Sequence, residues 1–293
     1  MKYIFYISLV SLFALNIISC AKDEEHSSTS TTTSDSTTSD NTTSDNTTSD
    51  NTPELFVTWG DSGTILTSSD NGTTWDNRTT GTSNHLYGVS YGQSTFVGVG
   101  ASGTIITSSD GTTWDNRTSG TSTGLYEISY GNNTFVTVGP SGTILTSSDN
   151  GTTWNNRTSG TTVTLWGVTY GNSTFVTVGS SGVILSSSNN GTTWDSRTSG
   201  TSNMLYGVNA VTYGNNTFIT VGDSGTILTS SDGASWTSRT SGTSNDLWGV
   251  AFANNTFVVV GTSGTILTSS DGTTWDERTS GTTNTLWGVT YSQ

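Results

Sequence analysis

Three observations in this sequence predict an all-β fold, a six-bladed β-propeller of four-stranded antiparallel blades. One unit of about forty residues recurs along most of the chain. Each unit holds four short β-rich runs separated by Gly, Asn and Ser. The array also begins and ends on complementary parts of a unit, so its two ends can be joined in one composite blade.

The unit reads L-[YW]-G-V-x-Y-G-N-x-T-F-V-x-V-G-x-S-G-T-I-L-T-S-S-D-(N)-G-T-T-W-D-x-R-T-S-G-T. Its tryptophans, Trp75, Trp114, Trp154, Trp194, Trp236 and Trp275, are 39, 40, 40, 42 and 39 residues apart. Around Trp114 the four runs are Leu86 to Tyr91, Thr95 to Val99, Thr104 to Ser108 and Thr113 to Thr118. Four strands per repeat is the pattern of a propeller blade. The array opens at Leu55-Phe56-Val57-Thr58-Trp59, a second strand with no first, and stops on Leu286-Trp287-Gly288-Val289-Thr290-Tyr291, a first strand with no second. Pairing of these N- and C-terminal strands closes the ring. An open β-solenoid needs no such match and would carry atypical terminal units.

Ahead of the array, residues 1–19 read as a signal peptide. Lys2 precedes an apolar run from Ile4 to Ile18 that is too short to lie stably across a bilayer, and a small residue, Ser19, stands before Cys20. Ile17-Ile18-Ser19-Cys20 resembles the bacterial lipobox, which implies lipidation of Cys20, the one cysteine in the sequence. Ala21-Lys22-Asp23-Glu24-Glu25 resembles the Lys-plus-acidic export signal of bacterial surface lipoproteins. Residues 20–53 are then a stalk, because Ser27 to Thr52 is nearly all Ser, Thr, Asp and Asn and offers nothing to bury. A flexible coil of that length holds the domain, residues 54–293, roughly 25 to 30 Å from the membrane. The expected location is the cell envelope, as an outer-membrane or cell-surface lipoprotein.

Removing Lys2 with the leader takes the formal net charge from −14 to −15. So acidic a body repels phosphate backbones and anionic headgroups, which excludes nucleic acid as a partner and leaves the lipid as the only membrane contact. It is expected to act as a monomer.

Ser68-Ser69-Asp70-Asn71-Gly72-Thr73-Thr74-Trp75 resembles the Asp-box, S-x-D-x-G-x-T-W, of sialidase-like (BNR) repeat propellers. The repeats as a whole, from Leu55 to Gln293, are also similar to those of the photosystem II assembly-factor family. The resemblance implies a propeller, in which the box Asp accepts backbone N–H bonds and the Trp fills the space between sheets. The box recurs at Asp149, carries Asn189 in one blade, and lacks one residue at Asp110, Asp232 and Asp271. Asp-Gly in those three suits a two-residue hairpin with both φ positive, a departure from the family geometry.

Activity is not implied, because propellers host unrelated functions. A sialidase needs three convergent arginines, but here Arg78, Arg117, Arg157, Arg197, Arg239 and Arg278 sit one per blade, each three residues after a tryptophan. They read either as partners of carboxylates such as Asp76, Asp115, Asp195 and Asp276, or as an anion-binding girdle. Gly60-Asp61-Ser62-Gly63 is a repeated turn and no protease triad, since the array holds one histidine, His85. Gly98-Val99-Gly100-Ala101-Ser102-Gly103 fits G-x-G-x-x-G but precedes a strand, which removes the dinucleotide reading. No metal, cofactor or catalytic residue is expected.

The repeats differ from one another in two loop sets that a propeller places on one face. These are the turn at Asp61, Ala101, Pro140, Ser180, Asp223 and Thr262, and the links at Asn84-His85, Asn203-Met204, Asn245-Asp246 and their equivalents. Asp61, His85, Met204, Asp223 and Asp246 are therefore the candidate ligand face. Glu127, where sibling repeats have Gly88, Gly167, Gly207, Gly249 and Gly288, is a candidate channel residue. Asn209-Ala210 read as a two-residue insertion. The expected function is non-catalytic binding of a protein or glycan. The alternatives are a glycan-active enzyme using Glu127 and Asp246, and an envelope assembly factor.

Overall fold

A computed structural model describes residues 55–206 and 210–290. The leader, Cys20, the stalk and residues 207–209 and 291–293 lie outside the described residues. The described chain forms six antiparallel sheets, five of four strands and one, at the start of the array, of three. Each sheet is a meander in which consecutive strands pair. The second comprises Leu86–Gly92, Thr95–Gly100, Ile105–Ser108 and Asp115–Arg117, within a residue or two of the runs read from the sequence.

Burial follows the order of strands. The second strand is covered on both sides, with Phe96, Val97 and Val99 all inside, whereas Asp115 and Asn116 of the outer strand face water. Each sheet packs face to face on the next. Val136, Val138 and Ile144 of one blade meet Leu165, Val168, Phe175, Leu185 and Trp194 of the following one, and five successive interfaces repeat this plan. Between hairpins the blades approach so closely that a Cβ at Gly131 would lie 2.0 Å from the Tyr170 ring. Gly92, Gly131, Gly171 and Gly214, each the last residue before the hairpin, are thus a packing requirement, and Ala253 takes the position in the last blade.

The inner strands converge on a central channel of about 350 Å³, walled by Val89 and Ser90, Glu127 to Tyr130, Val168 and Thr169, Val211 and Thr212, Val250 and Ala251, and Val289 and Thr290. The last pair belongs to the C-terminal segment, which thus takes the sixth inner-strand place. It enters that place by the bond its siblings use. Leu286 N–H donates to Gly261 O at 3.0 Å, as Leu86, Leu125, Leu165 and Leu205 donate to Gly60, Gly100, Gly139 and Gly179 at 3.0 or 3.1 Å. Among the described residues no ladder joins it to Phe56–Trp59, which pairs with Ile65–Ser68.

Two sequence expectations are corrected. The insertion is of three residues, because Thr220 Oγ1 donates to Ala210 O as Thr177 does to Gly167 and Thr137 to Glu127. Ala210 is therefore the structural equivalent of those positions, and residues 207–209 are the addition. The short boxes also keep the bonding of the long ones. In both lengths Ser Oγ donates to the box Asp and accepts from the Gly N–H, as at Ser68 and Ser108. Trp75, Trp114, Trp154, Trp194 and Trp236 each donate Nε1–H to the box Gly carbonyl. In the short box Gly111 has φ 71° while Asp110 is not left-handed, so this is no hairpin with two positive φ. With Asn71 absent, the carboxylate simply takes two neighbouring amides, Thr112 and Thr113 at 2.7 and 2.8 Å, where Asp70 takes Thr74.

Candidate functional site

The two variable loop sets do lie together. The turn between second and third strands is a single tight 3₁₀ turn such as Asp61–Gly63 or Asp223–Gly225, with its central Ser left-handed (φ near 55°) in every blade. The following Gly has no room for a side chain, since a Cβ on Gly63 would meet Thr82 O at 2.1 Å. This turn is tied to the link that precedes the blade's first strand, Asp223 N–H donating to Met204 O at 3.0 Å and Thr262 N–H to Asp246 O at 2.9 Å. It also meets the link to the next blade, where Ser224 N–H donates to Asp246 Oδ1 at 2.9 Å.

Asp61, His85, Met204, Asp223 and Asp246 therefore share one face, but in two groups. His85 Nδ1 is 2.8 Å from Asp61 Oδ1. A ring nitrogen that close to a carboxylate carries the proton and donates it, so the 3.4 Å approach of Ser62 N–H to the same atom is not a second bond. In the other group Asp223 accepts from Met204 N–H at 3.3 Å and from the Tyr206 hydroxyl, while Asp246 lies close by. Burial first, and then the bond to Asp223, raise the Tyr206 phenol well above its ordinary value. Among the described residues no cation pairs with Asp223 or Asp246.

The sequence reading missed a set of six aromatic residues between this face and the channel. Tyr87, Tyr126, Trp166, Tyr206, Trp248 and Trp287 follow the recurring leucine of each repeat, Tyr87, Trp166 and Trp248 as the second residue of an inner strand whose later residues wall the channel. They form two arcs. In one, Tyr87 meets Tyr126 edge-on with centroids 5.7 Å apart, and Tyr126 stacks on Trp166 at 5.0 Å and 10°. In the other, Tyr206 and Trp248 are perpendicular at 4.2 Å, and Trp248 meets Trp287 at 4.8 Å and 65°. Trp287 is 39% exposed, the one exposed large hydrophobic among the described residues. The signal was present as the [YW] position of the repeat.

Glu127 stands in the channel wall as expected, beside Gly88, where a Cβ would already be 3.4 Å from its Oε1. Although the residue keeps some solvent contact, the surrounding inner strands push its carboxyl up to about 7, with only the Ile128 N–H bond at 3.1 Å acting against them. The arginines are tied into their own blades. Each Nε–H donates to a Thr or Ser of the third strand at 2.7 or 2.8 Å, as Arg157 does to Thr146. Four of them also pair with the Asp two residues earlier, at 2.9 to 3.2 Å.

No protein-family model matches the chain, and no curated protein matches it. Among solved structures it is similar to "YCF48 bound to D1 peptide", with 19% identity, 76% of each chain covered and a TM-score of 0.61. YCF48 from Cyanidioschyzon merolae has 17% identity over 76% of this chain and 80% of that one, with a TM-score of 0.60. The computationally designed Ika8 protein has 14% identity over 82% and 75%, with a TM-score of 0.65. Repeated four-stranded sheets set as propeller blades are what these structures share with the chain.

Proposed function

We propose that this chain is a non-catalytic binding protein of the cell envelope, lipidated at Cys20 and raised on its Ser/Thr-rich stalk. Its turn-and-link face takes up a protein or glycan partner. The observation that carries the reading is the union, on one face, of six aromatic side chains with Asp61, His85, Asp223 and Asp246, on a scaffold whose other repeat positions are spent on packing. That a similarly folded structure carries the words "bound to D1 peptide" supports a protein partner, and with it an assembly-type role. The glycan-active alternative has less support, because Glu127 lines the channel and Asp246 does not.

A photo-crosslinking amino acid placed at Trp287, compared with one at Asn116 on the outer rim, tests the reading in cells of the source organism. Adducts that form at 287 and not at 116 are expected. Adducts only at the rim, or at neither site, contradict it. Metabolic labelling with a palmitate analogue should mark the wild type and not Cys20→Ala, and unlabelled wild-type protein would remove the anchor from the proposal.

A further inference from the structure

The two arcs of aromatic rings are chemically unlike. Beside Tyr87, the carboxylate of Asp61 is engaged by His85 at 2.8 Å, and the Tyr126 and Trp166 rings stack face to face, covering one another. In the arc Tyr206, Trp248 and Trp287 no ring is stacked flat on its neighbour, and the last ring, Trp287, is open to solvent. Asp223 and Asp246 stand beside it and accept only from neutral donors, Met204 N–H, Ser224 N–H and the Tyr206 hydroxyl. All six arginines of the described chain lie in or directly after the outer strands, and the two lysines of the sequence, Lys2 and Lys22, precede the array. The face thus brings two carboxylates and an open aromatic corner together with no Lys or Arg of its own among the described residues.

We propose that this arc is the seat for a basic side chain, arginine or lysine, presented by a segment of a partner protein. The proposal rests on the binding reading above and names its ligand chemistry. A cation over the face of a Trp or Tyr ring is attracted by the ring quadrupole, most strongly where water is partly excluded. A carboxylate beside the ring adds a charge-assisted hydrogen bond, and a guanidinium satisfies both demands at once because it is planar and carries several donors. A net charge of −14 draws a basic segment toward the protein over the Debye length and holds acidic surfaces off. A neutral sugar could also stack on a ring and donate its hydroxyls to a carboxylate, but it gains nothing from the negative charge of the two carboxylates and of the whole chain, so the arc favours the basic segment.

The test uses the full chain in detergent. A fluorescein-labelled peptide of Gly and Ser carrying two arginines is followed by anisotropy, beside lysine and citrulline versions of the same peptide and beside maltohexaose. Saturable binding of the arginine or lysine peptide is expected. It should weaken about tenfold with citrulline, by a similar factor in Trp287→Ala, and several-fold in Asp246→Asn, with Asp195→Asn on the rim unchanged. Asp246→Asn preserves the shape and an acceptor for Ser224 N–H, so its unchanged melting temperature keeps the result readable if Trp287→Ala disturbs the fold. Equal binding of the citrulline and arginine peptides, or binding indifferent to Asp246→Asn, overturns the proposal. Maltohexaose bound through Trp287 without peptide binding overturns it while leaving the binding face in place. If neither probe binds and no adduct forms at residue 287, both the proposal and the reading beneath it fall.

Discussion

The outer rim and the axial face of this propeller are built from the same repeat and behave oppositely. At the rim the blades repeat the same bonds, with Trp275 alone among the box tryptophans lacking the Nε1–H bond to its glycine carbonyl. Ser, the box Asp or Asn189, Gly and Trp close one turn, and each Arg is tied to the third strand. On the axial face the equivalent positions differ from blade to blade, with His85 against Asp61 on one side and Tyr206 against Asp223 on the other. Positions that repeat faithfully here specify the ring, and positions that break the repeat differentiate one sector of it from another.

The contrast can be broken most severely at the rim. Trp194, 9% exposed and packed on Val136, Val138 and Leu165, should cost about 3 to 5 kcal/mol on replacement by Ala, seen as a large drop in denaturation midpoint. An unchanged midpoint would mean the box tryptophans do not hold the blades together. In the channel the effect reverses sign. A carboxyl raised from 4.5 to about 7 in the folded state binds its proton more tightly there than in the unfolded chain, so the wild type loses stability as pH rises between those values. Glu127→Gln should therefore stabilise by about 1 to 3 kcal/mol at pH 8 and be neutral near pH 4. A pH-independent difference would place Glu127 in a solvated setting.

The box carboxylates act in the opposite direction. Asp70 is lowered to about 2 by the Thr74 hydroxyl and then the Thr74 amide, and Asp232 to about 2 by the Ser235 and Ala234 amides. A depressed pKa contributes stability above the unfolded value near 4 that is lost as pH falls toward 2, so the ring should loosen in that acid window. Asp232→Ala should cost about 1 kcal/mol at neutral pH and only a fraction of that at pH 2, measured by chemical denaturation. Asn189 makes the same turn without a titrating group, and Asn189→Asp should enlarge the acid-labile share. Smallest of all, Asp195→Ala removes an exposed partner of Arg197 and should change stability by less than about 1 kcal/mol.

What could be read from the sequence follows the same division. The blade count, the strand runs, the box and the shared face of Asp61, Asp223 and Asp246 all follow from the period. The equivalence of long and short boxes did not, because a carboxylate can collect either one amide or two from neighbouring residues, and letters do not show which. The length of the insertion is hidden because Gly207-Val208 repeat the Gly-Val of sibling repeats such as Gly167-Val168, so the letters align them in place of Ala210-Val211. The aromatic arcs escaped because Tyr or Trp stands at that position in every repeat, which reads as packing. Only three-dimensional pairing separates a stacked arc from an open one.

The central claim, that the axial face and not the rim meets the partner, is tested most directly by hydroxyl-radical footprinting of the chain in cells of its source against the purified protein. The account predicts protection of Trp287, Trp248 and Tyr206 in the cells with unchanged reactivity at Trp75 and Trp275. Protection confined to the rim tryptophans, or no difference at Trp287, would contradict it.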